Sequence, residues 1–246
     1  MKIEYRELTV NNYVLRGFLT SDDNCKDLCV YLHGYTGHKN EHNFLFKQLS
    51  YRFLEVGVAS LRFDYRGSGD SDGTFDEQNF DTVLEDACAM VKEGYKLNHN
   101  QKVIVLGFSM GGAAAGRMSV MMKDYIKKVV LISPAAMLAR SLKNAFIYNP
   151  AIDDKYVDLG GYLLNVKFRE TLKDLDMLEG CENFTDPVLI VQGSADQAVF
   201  PLDSFEFKKK YPNCEYRLVI GAPHGYSKIE YRKQLQEIIL DFLRRK

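Results

Sequence analysis

The chain has 246 residues, of which 46% are hydrophobic and 26% charged, and its 32 basic side chains are balanced by 33 acidic ones. This length suits a single α/β domain, and the balanced charge argues against nucleic acid as the main partner, because phosphate binding requires a concentrated basic surface. No stretch has the apolar length of a signal-peptide core or a membrane span, which favours a cytoplasmic protein without a membrane partner.

The first two predicted strands form an antiparallel hairpin. IEYRELTV (residues 3–10) and YVLRGFLT (residues 13–20) alternate apolar and polar residues, and the Asn11-Asn12 pair between them is typical of a tight turn. Six later runs are denser in apolar and β-branched residues and predict strands covered on both faces. These runs are DLCVYLHG, VASLRFDY, KVIVLGFS, KKVVLISP, PVLIVQGSAD and EYRLVIGAPH.

Segments with helical spacing separate most of these strands. They span residues 43–54, 83–95, 113–122, 204–211 and 231–243. Strands that alternate with helices predict a doubly wound, mostly parallel α/β sheet with right-handed crossovers. In such sheets ligands bind beyond the C-terminal ends of the strands, so functional residues are expected just after each apolar run.

The pattern G-x-S-x-G, typical of serine hydrolases, occurs twice. In GDSDG (residues 69–73), Ser71 lies between Asp70 and Asp72 in a polar loop, and two carboxylates would oppose the negative charge of acyl attack. We interpret Ser71 as a turn residue. Ser109 instead follows the strand VIVL and precedes the small-residue helix GAAAG, as in a nucleophile elbow. Ser109 is therefore the predicted nucleophile, and the alternative is a glycine-rich elbow in a non-catalytic ligand-binding relative.

The segment from about residue 135 to 184 is far longer than a simple crossover requires. It contains weak helical patterns, several aromatic residues and the turn-like NPAIDD. We interpret it as a cap insertion in one domain that spans residues 1–246. The cap would cover the C-terminal ends of the strands, the ligand edge of the sheet. Its hydrophobic side chains suit a pocket lining and a homodimer contact equally well.

The general base and its acid are predicted from their positions after strands. His224 follows EYRLVIGAP at the ligand edge, whereas His99 lies at the opposite end of the sheet. An acid must hold the second imidazole nitrogen and stabilise the imidazolium. Asp196 ends PVLIVQGSAD at the ligand edge, whereas Asp186 precedes that strand. Asp203, in the first turn of the next helix, is the alternative acid.

Three further histidines, His33, His38 and His42, have the spacing H-x4-H-x3-H, which suggests a metal site. Beyond Glu41, this stretch lacks the nearby carboxylate or cysteine arrangement that is typical of zinc sites. We expect neither a metal nor a redox cofactor, and we interpret His33 as a turn residue that supports its loop.

Through LHGYTGHKNE, RFDYRGSGDSDG, GFSMGGAAA, ISPAA and GSADQAVFP the chain resembles the bacterial cinnamoyl and feruloyl esterases of the α/β-hydrolase superfamily. The order Ser109, Asp196, His224 is the order of that superfamily's triad. The resemblance implies a serine carboxylester hydrolase that forms an acyl-enzyme with a small-molecule ester, hydroxycinnamoyl or short-chain. It also implies an oxyanion hole formed by the backbone N–H groups of Tyr35 and Met110, and a structural role for the D-x-R-G-x-G-x-S loop.

The region after ISPAA departs from this resemblance. Feruloyl esterases of the group often bind the ring hydroxyl with an acidic residue shortly after the P-A-A turn and with a tyrosine of the cap. Here AAMLARSLKN contains no carboxylate, and the cap offers Tyr162 as the substrate contact. A peptidase or an acylglycerol lipase of the same fold would share the triad, so both remain alternatives.

Overall fold

The computed structural model describes residues 1–245, except for the side chains of residues 141–144. The strands are β1 (Lys2–Val10), β2 (Tyr13–Ser21), β3 (Asp27–Leu32), β4 (Val58–Phe63), β5 (Val103–Phe108), β6 (Ile126–Ile132), β7 (Tyr156–Leu159), β8 (Tyr162–Asn165), β9 (Val188–Gly193) and β10 (Cys214–Val219). The α-helices are α1 (Leu45–Leu54), α2 (Phe80–Leu97), α3 (Met110–Met121), α4 (Leu138–Tyr148), α5 (Val166–Glu170), α6 (Pro201–Lys210) and α7 (Ile229–Arg244).

Eight strands form one sheet in the spatial order β1-β2-β4-β3-β5-β6-β9-β10. The pairs β1/β2 and β2/β4 are antiparallel, and every other neighbouring pair is parallel. Asn11 and Asn12 form the hairpin turn in the left-handed region, with φ of 47° and 71°. The predicted doubly wound sheet with an N-terminal antiparallel hairpin is confirmed.

Helices cover both faces of the sheet because its inner strands alternate apolar side chains between two cores. In β3, Val30 and Leu32 point into a core shared with α2 and α3. Cys29 and Tyr31, on the opposite face, join a core shared with α1 and α7. None of the helices within residues 1–245 is both long and apolar enough to cross a bilayer.

Each of the five predicted helices begins two or three residues away from its predicted start, and one strand is less covered than predicted. Helix α1 begins at Leu45 rather than residue 43, because Asn43 and Phe44 adopt left-handed φ of 51° and 58°. Helix α3 begins earlier than predicted, directly after Ser109. Strand β10, at the edge of the sheet, is not covered on both faces: its residues are half-buried from Cys214 to Tyr216 and exposed at Arg217 and Leu218.

The segment between β6 and β9 contains α4, the antiparallel pair β7/β8 and α5. Its buried side chains Val157, Leu164, Phe168 and Leu172 belong to the same apolar cluster as α2 and α3. From this shared core we propose that the segment is a cap built onto a single domain rather than a unit of its own.

Candidate active site

Ser109 lies in the sharp turn between β5 and α3, at φ 57° and ψ −118°, a strained conformation for a residue with a side chain. The flanking glycines make this turn sterically possible. A Cβ on Gly107 would lie 2.0 Å from the carbonyl oxygen of Gly111, and a Cβ on Gly111 would lie 2.0 Å from that of Leu32. The elbow therefore needs glycine at both positions and presents the Ser109 hydroxyl at the sheet edge.

The structure brings Ser109, His224 and Asp196 together. His224 Nε2 lies 3.0 Å from Ser109 Oγ, and His224 Nδ1 lies 2.8 Å from Asp196 Oδ2. A carboxylate only accepts hydrogen bonds, so Nδ1 donates to Asp196 and the Ser109 hydroxyl donates to Nε2. The ring of Phe108 lies under the imidazole, with a centroid separation of 4.8 Å.

Asp196 is 3% exposed, and each of its two carboxylate oxygens accepts two hydrogen bonds. Oδ1 accepts the N–H groups of Ala198 at 3.0 Å and Val199 at 2.9 Å, and Gln192 donates to Oδ2 at 3.0 Å. Burial raises the pKa of the carboxyl, but the hydrogen bond and charge of His224 and these donors outweigh burial, so the pKa lies below its ordinary value. Asp196 is therefore a charged acceptor at neutral pH.

The loop after β3 approaches Ser109 through Gly34, where an added Cβ would lie 3.3 Å from the Cβ of Ser109. The buried carboxylate of Glu41 holds this loop: it accepts the N–H of Gly34 and, at 3.0 Å, the N–H of His42. Burial raises the pKa of Glu41, and the two backbone donors oppose this shift only in part. Among the described residues, the backbone N–H groups of Tyr35 and Met110 have no acceptor.

A cleft of about 540 Å³ opens at Ser109 and His224. The loop after β3 forms one side, from Gly34 to His42, and Tyr162 of the cap lies across it. The Tyr162 hydroxyl donates to the carbonyl oxygen of Thr36 at 3.3 Å. The ring of Phe75 lies between those of Tyr162 and Tyr35, at 4.8 and 5.3 Å. The predicted substrate contact thus lies at the cleft, within an aromatic cluster.

Ser71, the other match to the serine pattern, is 9% exposed and holds backbone groups. Its hydroxyl accepts the N–H of Arg16 at 2.9 Å and donates to the carbonyl oxygen of Asp64 at 2.8 Å. Asp64 accepts a hydrogen bond from the ammonium group of Lys39 at 2.6 Å, and Lys39 lies in the same loop as Tyr35. Ser71 is thus part of a buried support behind that loop.

The alternative acid and the excluded residues are not among the described residues that line the cleft at Ser109. Asp203, in the first turn of α6, is paired with Arg140. Asp186 precedes β9 and lies 3.5 Å from the ammonium group of Lys102. His99 is exposed in the turn before β5, at the opposite end of the sheet.

The three histidines whose spacing suggests a metal site lie in different environments. His33 is buried, and its Nδ1 and Nε2 bond the Gly34 carbonyl oxygen and the Tyr65 N–H. His38 and His42 are exposed beside the cleft. Within residues 1–245, no group of three His, Cys, Asp or Glu side chains has the geometry to hold a metal ion.

Sequence reasoning missed Gln192 and Glu41. Gln192 had a signal, since it is a polar residue at the end of the apolar run of β9. Glu41 had none, because its contact with Gly34 depends on a loop with left-handed Thr36 and Glu41, at φ of 57° and 58°.

Comparisons with known proteins agree with this fold. The family model of serine aminopeptidase, S33, matches residues 23–156, more than half of the chain. Est1E from Butyrivibrio proteoclasticus, solved with bound ferulic acid, is 27% identical, with a TM-score of 0.87 and 97% of each chain covered. The Pyrococcus furiosus esterase Pf2001 is 25% identical, with a TM-score of 0.77, covering 99% of this chain and 91% of its own.

Among curated proteins, the chain is 24% identical over 231 residues to a Mycoplasma pneumoniae protein whose name marks it as an esterase or lipase candidate. The match covers 80% of this chain and 83% of that protein. The resemblance to α/β-hydrolase esterases that the motifs indicate is confirmed.

Proposed function

We propose that this chain, which belongs to the serine aminopeptidase S33 family of α/β-hydrolases, is a serine carboxylester hydrolase. The observation that carries the proposal is the hydrogen-bonded series from Ser109 through His224 to Asp196 at the mouth of a cleft. A serine hydroxyl is a weak nucleophile until an aligned base removes its proton, and this series supplies the base and its orienting acid.

In the proposed reaction, Ser109 Oγ attacks the ester carbonyl carbon while its proton passes to His224 Nε2. The tetrahedral intermediate collapses, and His224 returns the proton to the departing alcohol, which leaves an acyl-enzyme on Ser109. A water molecule then attacks the acyl group, with His224 again taking and returning the proton, and the carboxylic acid is released. Asp196 stabilises the imidazolium in both halves.

The oxyanion would be held by the backbone N–H groups of Tyr35 and Met110. Both are free of other acceptors among the described residues, and Met110 begins α3, where the helix dipole favours an anion. Losing one such donor typically raises the barrier by about 3 kcal/mol. The Glu41 contact to Gly34 supports this role because it fixes the peptide next to Tyr35.

The cleft favours esters over the aminoacyl amides that the family description suggests. A peptidase that reads a free N-terminus needs an acceptor for its ammonium group. Glu41 is the acid among the described lining residues, and both of its oxygens already accept backbone N–H groups. No other carboxylate within that lining is available for an ammonium group.

For the acyl group we propose hydroxycinnamoyl-type or short-chain esters. Tyr35, Phe108 and Tyr162 give the cleft aromatic faces that suit a phenolic ring. The relative solved with ferulic acid supports the same acyl class.

The test uses the two serines of the repeated pattern as a matched pair. Ser109→Ala should lower kcat/KM for p-nitrophenyl butyrate by roughly 10^4-fold or more, because the proposed acyl-enzyme forms on the Ser109 hydroxyl. A fluorophosphonate should label the wild type and Ser71→Ala but not Ser109→Ala. Equal hydrolysis by Ser109→Ala and the wild type would overturn the proposal.

Substrate class is tested by kcat/KM for methyl ferulate, p-nitrophenyl butyrate, a long-chain monoacylglycerol and an aminoacyl amide. We expect the first two to exceed the others. A higher value for the amide would favour the peptidase, and a higher value for the monoacylglycerol would favour the lipase.

A further inference from the structure

Arg232 is a buried arginine at the end of the first turn of α7, with 8% of its surface exposed. A positive charge is disfavoured at this end of a helix, because the dipole is also positive there. Burial further lowers the pKa of the guanidinium. Both effects oppose a cation at this position, so its contacts must compensate.

The guanidinium binds three backbone carbonyl oxygens that lie in two loops and one side-chain amide oxygen of α1, all of them neutral. Nη2 donates to the carbonyl oxygen of Gly225 at 3.2 Å, and Nε donates to that of Tyr226 at 3.4 Å. Nη1 donates to the carbonyl oxygen of Asn43 at 3.0 Å and to Gln48 Oε1 at 3.3 Å. No carboxylate pairs with Arg232 among the described residues.

These two loops are the ones that carry the reacting groups in the proposed function. Gly225 and Tyr226 directly follow His224. Asn43 directly follows His42, whose N–H is held by Glu41 together with that of Gly34. The planar guanidinium of Arg232 therefore connects the loop that carries His224 to the loop that carries Tyr35.

We infer that Arg232 is a positioning residue that sets the spacing between His224 and the oxyanion loop, and this inference rests on the proposed esterase function. A planar guanidinium with donors in fixed directions can bind three carbonyl oxygens at once, whereas the ammonium of lysine is a point charge without that geometry. Displacement of catalytic groups by about 1 Å can cost 100-fold in rate.

The test compares Arg232→Lys and Arg232→Met with the same changes at Arg62. Arg62 is a matched control: it is 2% exposed, lies on β4 and donates only to Ser50 Oγ, at 3.5 Å, among the described residues. Unfolding in urea, kcat and KM for p-nitrophenyl butyrate, and the rate of fluorophosphonate labelling are measured for all four variants.

We expect Arg232→Met to lower kcat and the labelling rate by roughly 10- to 100-fold with KM within about threefold, since alignment and not binding is lost. Arg232→Lys should fall between Arg232→Met and the wild type. The Arg62 variants should keep kcat and the labelling rate near the wild-type values. If Arg232→Met does not fold, the values for Arg232→Lys decide.

Wild-type kcat in a folded Arg232→Met or Arg232→Lys variant would overturn the inference, as would an equal loss of kcat in the Arg62 variants. Failure of the proposed function is a separate result: it would appear as an inactive wild type or as an active Ser109→Ala.

Discussion

Asp196 keeps its charge in a buried site because four hydrogen-bond donors converge on its two oxygens. The ring of His224 is fixed as a consequence, with Nδ1–H directed at the carboxylate and Nε2 free to accept from Ser109. An amide in place of the carboxylate can donate to the imidazole and so stabilise the opposite tautomer.

Asp196→Asn should therefore lower kcat for p-nitrophenyl butyrate by roughly 10^4-fold with little change in fold. Asp203→Asn is the matched control, because Asp203 of α6 is the alternative acid and is paired with Arg140 of α4. Its kcat should remain near the wild-type value. A larger loss in Asp203→Asn than in Asp196→Asn would reverse the assignment of the acid.

At the level of elements, the elbow between β5 and α3 depends on space rather than on side-chain chemistry. Gly111→Ala would place a methyl group against the backbone oxygens of Leu32 and His33, at the end of β3, and this backbone cannot move aside locally. We expect a loss of about 3 kcal/mol or more in the free energy of unfolding. Gly160→Ala should lose only about 1 kcal/mol, since Gly160 is left-handed at φ +60° but an added Cβ would meet no atom of the described residues beyond its chain neighbours within 4 Å. Urea titration of both variants measures the difference.

The pair β7/β8 places Tyr162 at the cleft, where it contacts Phe75 and the loop that carries Tyr35. If its ring contacts an aromatic acyl group, Tyr162→Ala should raise KM for methyl ferulate by about two- to tenfold more than KM for p-nitrophenyl butyrate. Tyr148→Ala is the control from the same cap, because Tyr148 is 80% exposed. Equal changes in KM for both esters would mean that Tyr162 does not contact the aromatic acyl group.

The sequence predicts those parts of the fold and the site that depend on local patterns, and it does not predict contacts between residues far apart in the chain. Apolar density predicts the strands, and a residue just after a parallel strand lies at the C-terminal ends of the strands. This position predicts Asp196 and His224, and together with the glycine-flanked elbow it predicts Ser109. Arg232 reads as an ordinary helix arginine unless its spacing of three from buried Leu235 is noted. Its partners come from loops far apart in sequence, and no local pattern encodes them.

At the scale of the whole molecule, four strand ends converge at one sheet edge. The loop of Tyr35 follows β3, Ser109 follows β5, Asp196 follows β9 and His224 follows β10. The site therefore exists only when the sheet is complete. Activity should be lost at the same urea concentration at which the sheet unfolds. His33, directly after β3, links that stability to pH.

His33 is 1% exposed, and both ring nitrogens are used by a neutral imidazole: Nδ1–H donates to the Gly34 carbonyl oxygen, and Nε2 accepts the Tyr65 N–H at 3.1 Å. Burial lowers its pKa from 6.5 to about 4. Between these values the unfolded chain binds a proton that the folded protein does not, so stability falls as the pH falls from 6.5 towards 4.

From pH 7 to pH 5, this difference amounts to about 2 kcal/mol of the free energy of unfolding. Urea titrations at the two pH values should show that loss in the wild type and a smaller loss in His33→Gln, which has no ring to protonate. His99→Gln, which alters an exposed histidine, should keep the wild-type loss. An identical pH dependence in His33→Gln and the wild type would mean that His33 does not couple proton binding to the stability of this sheet edge.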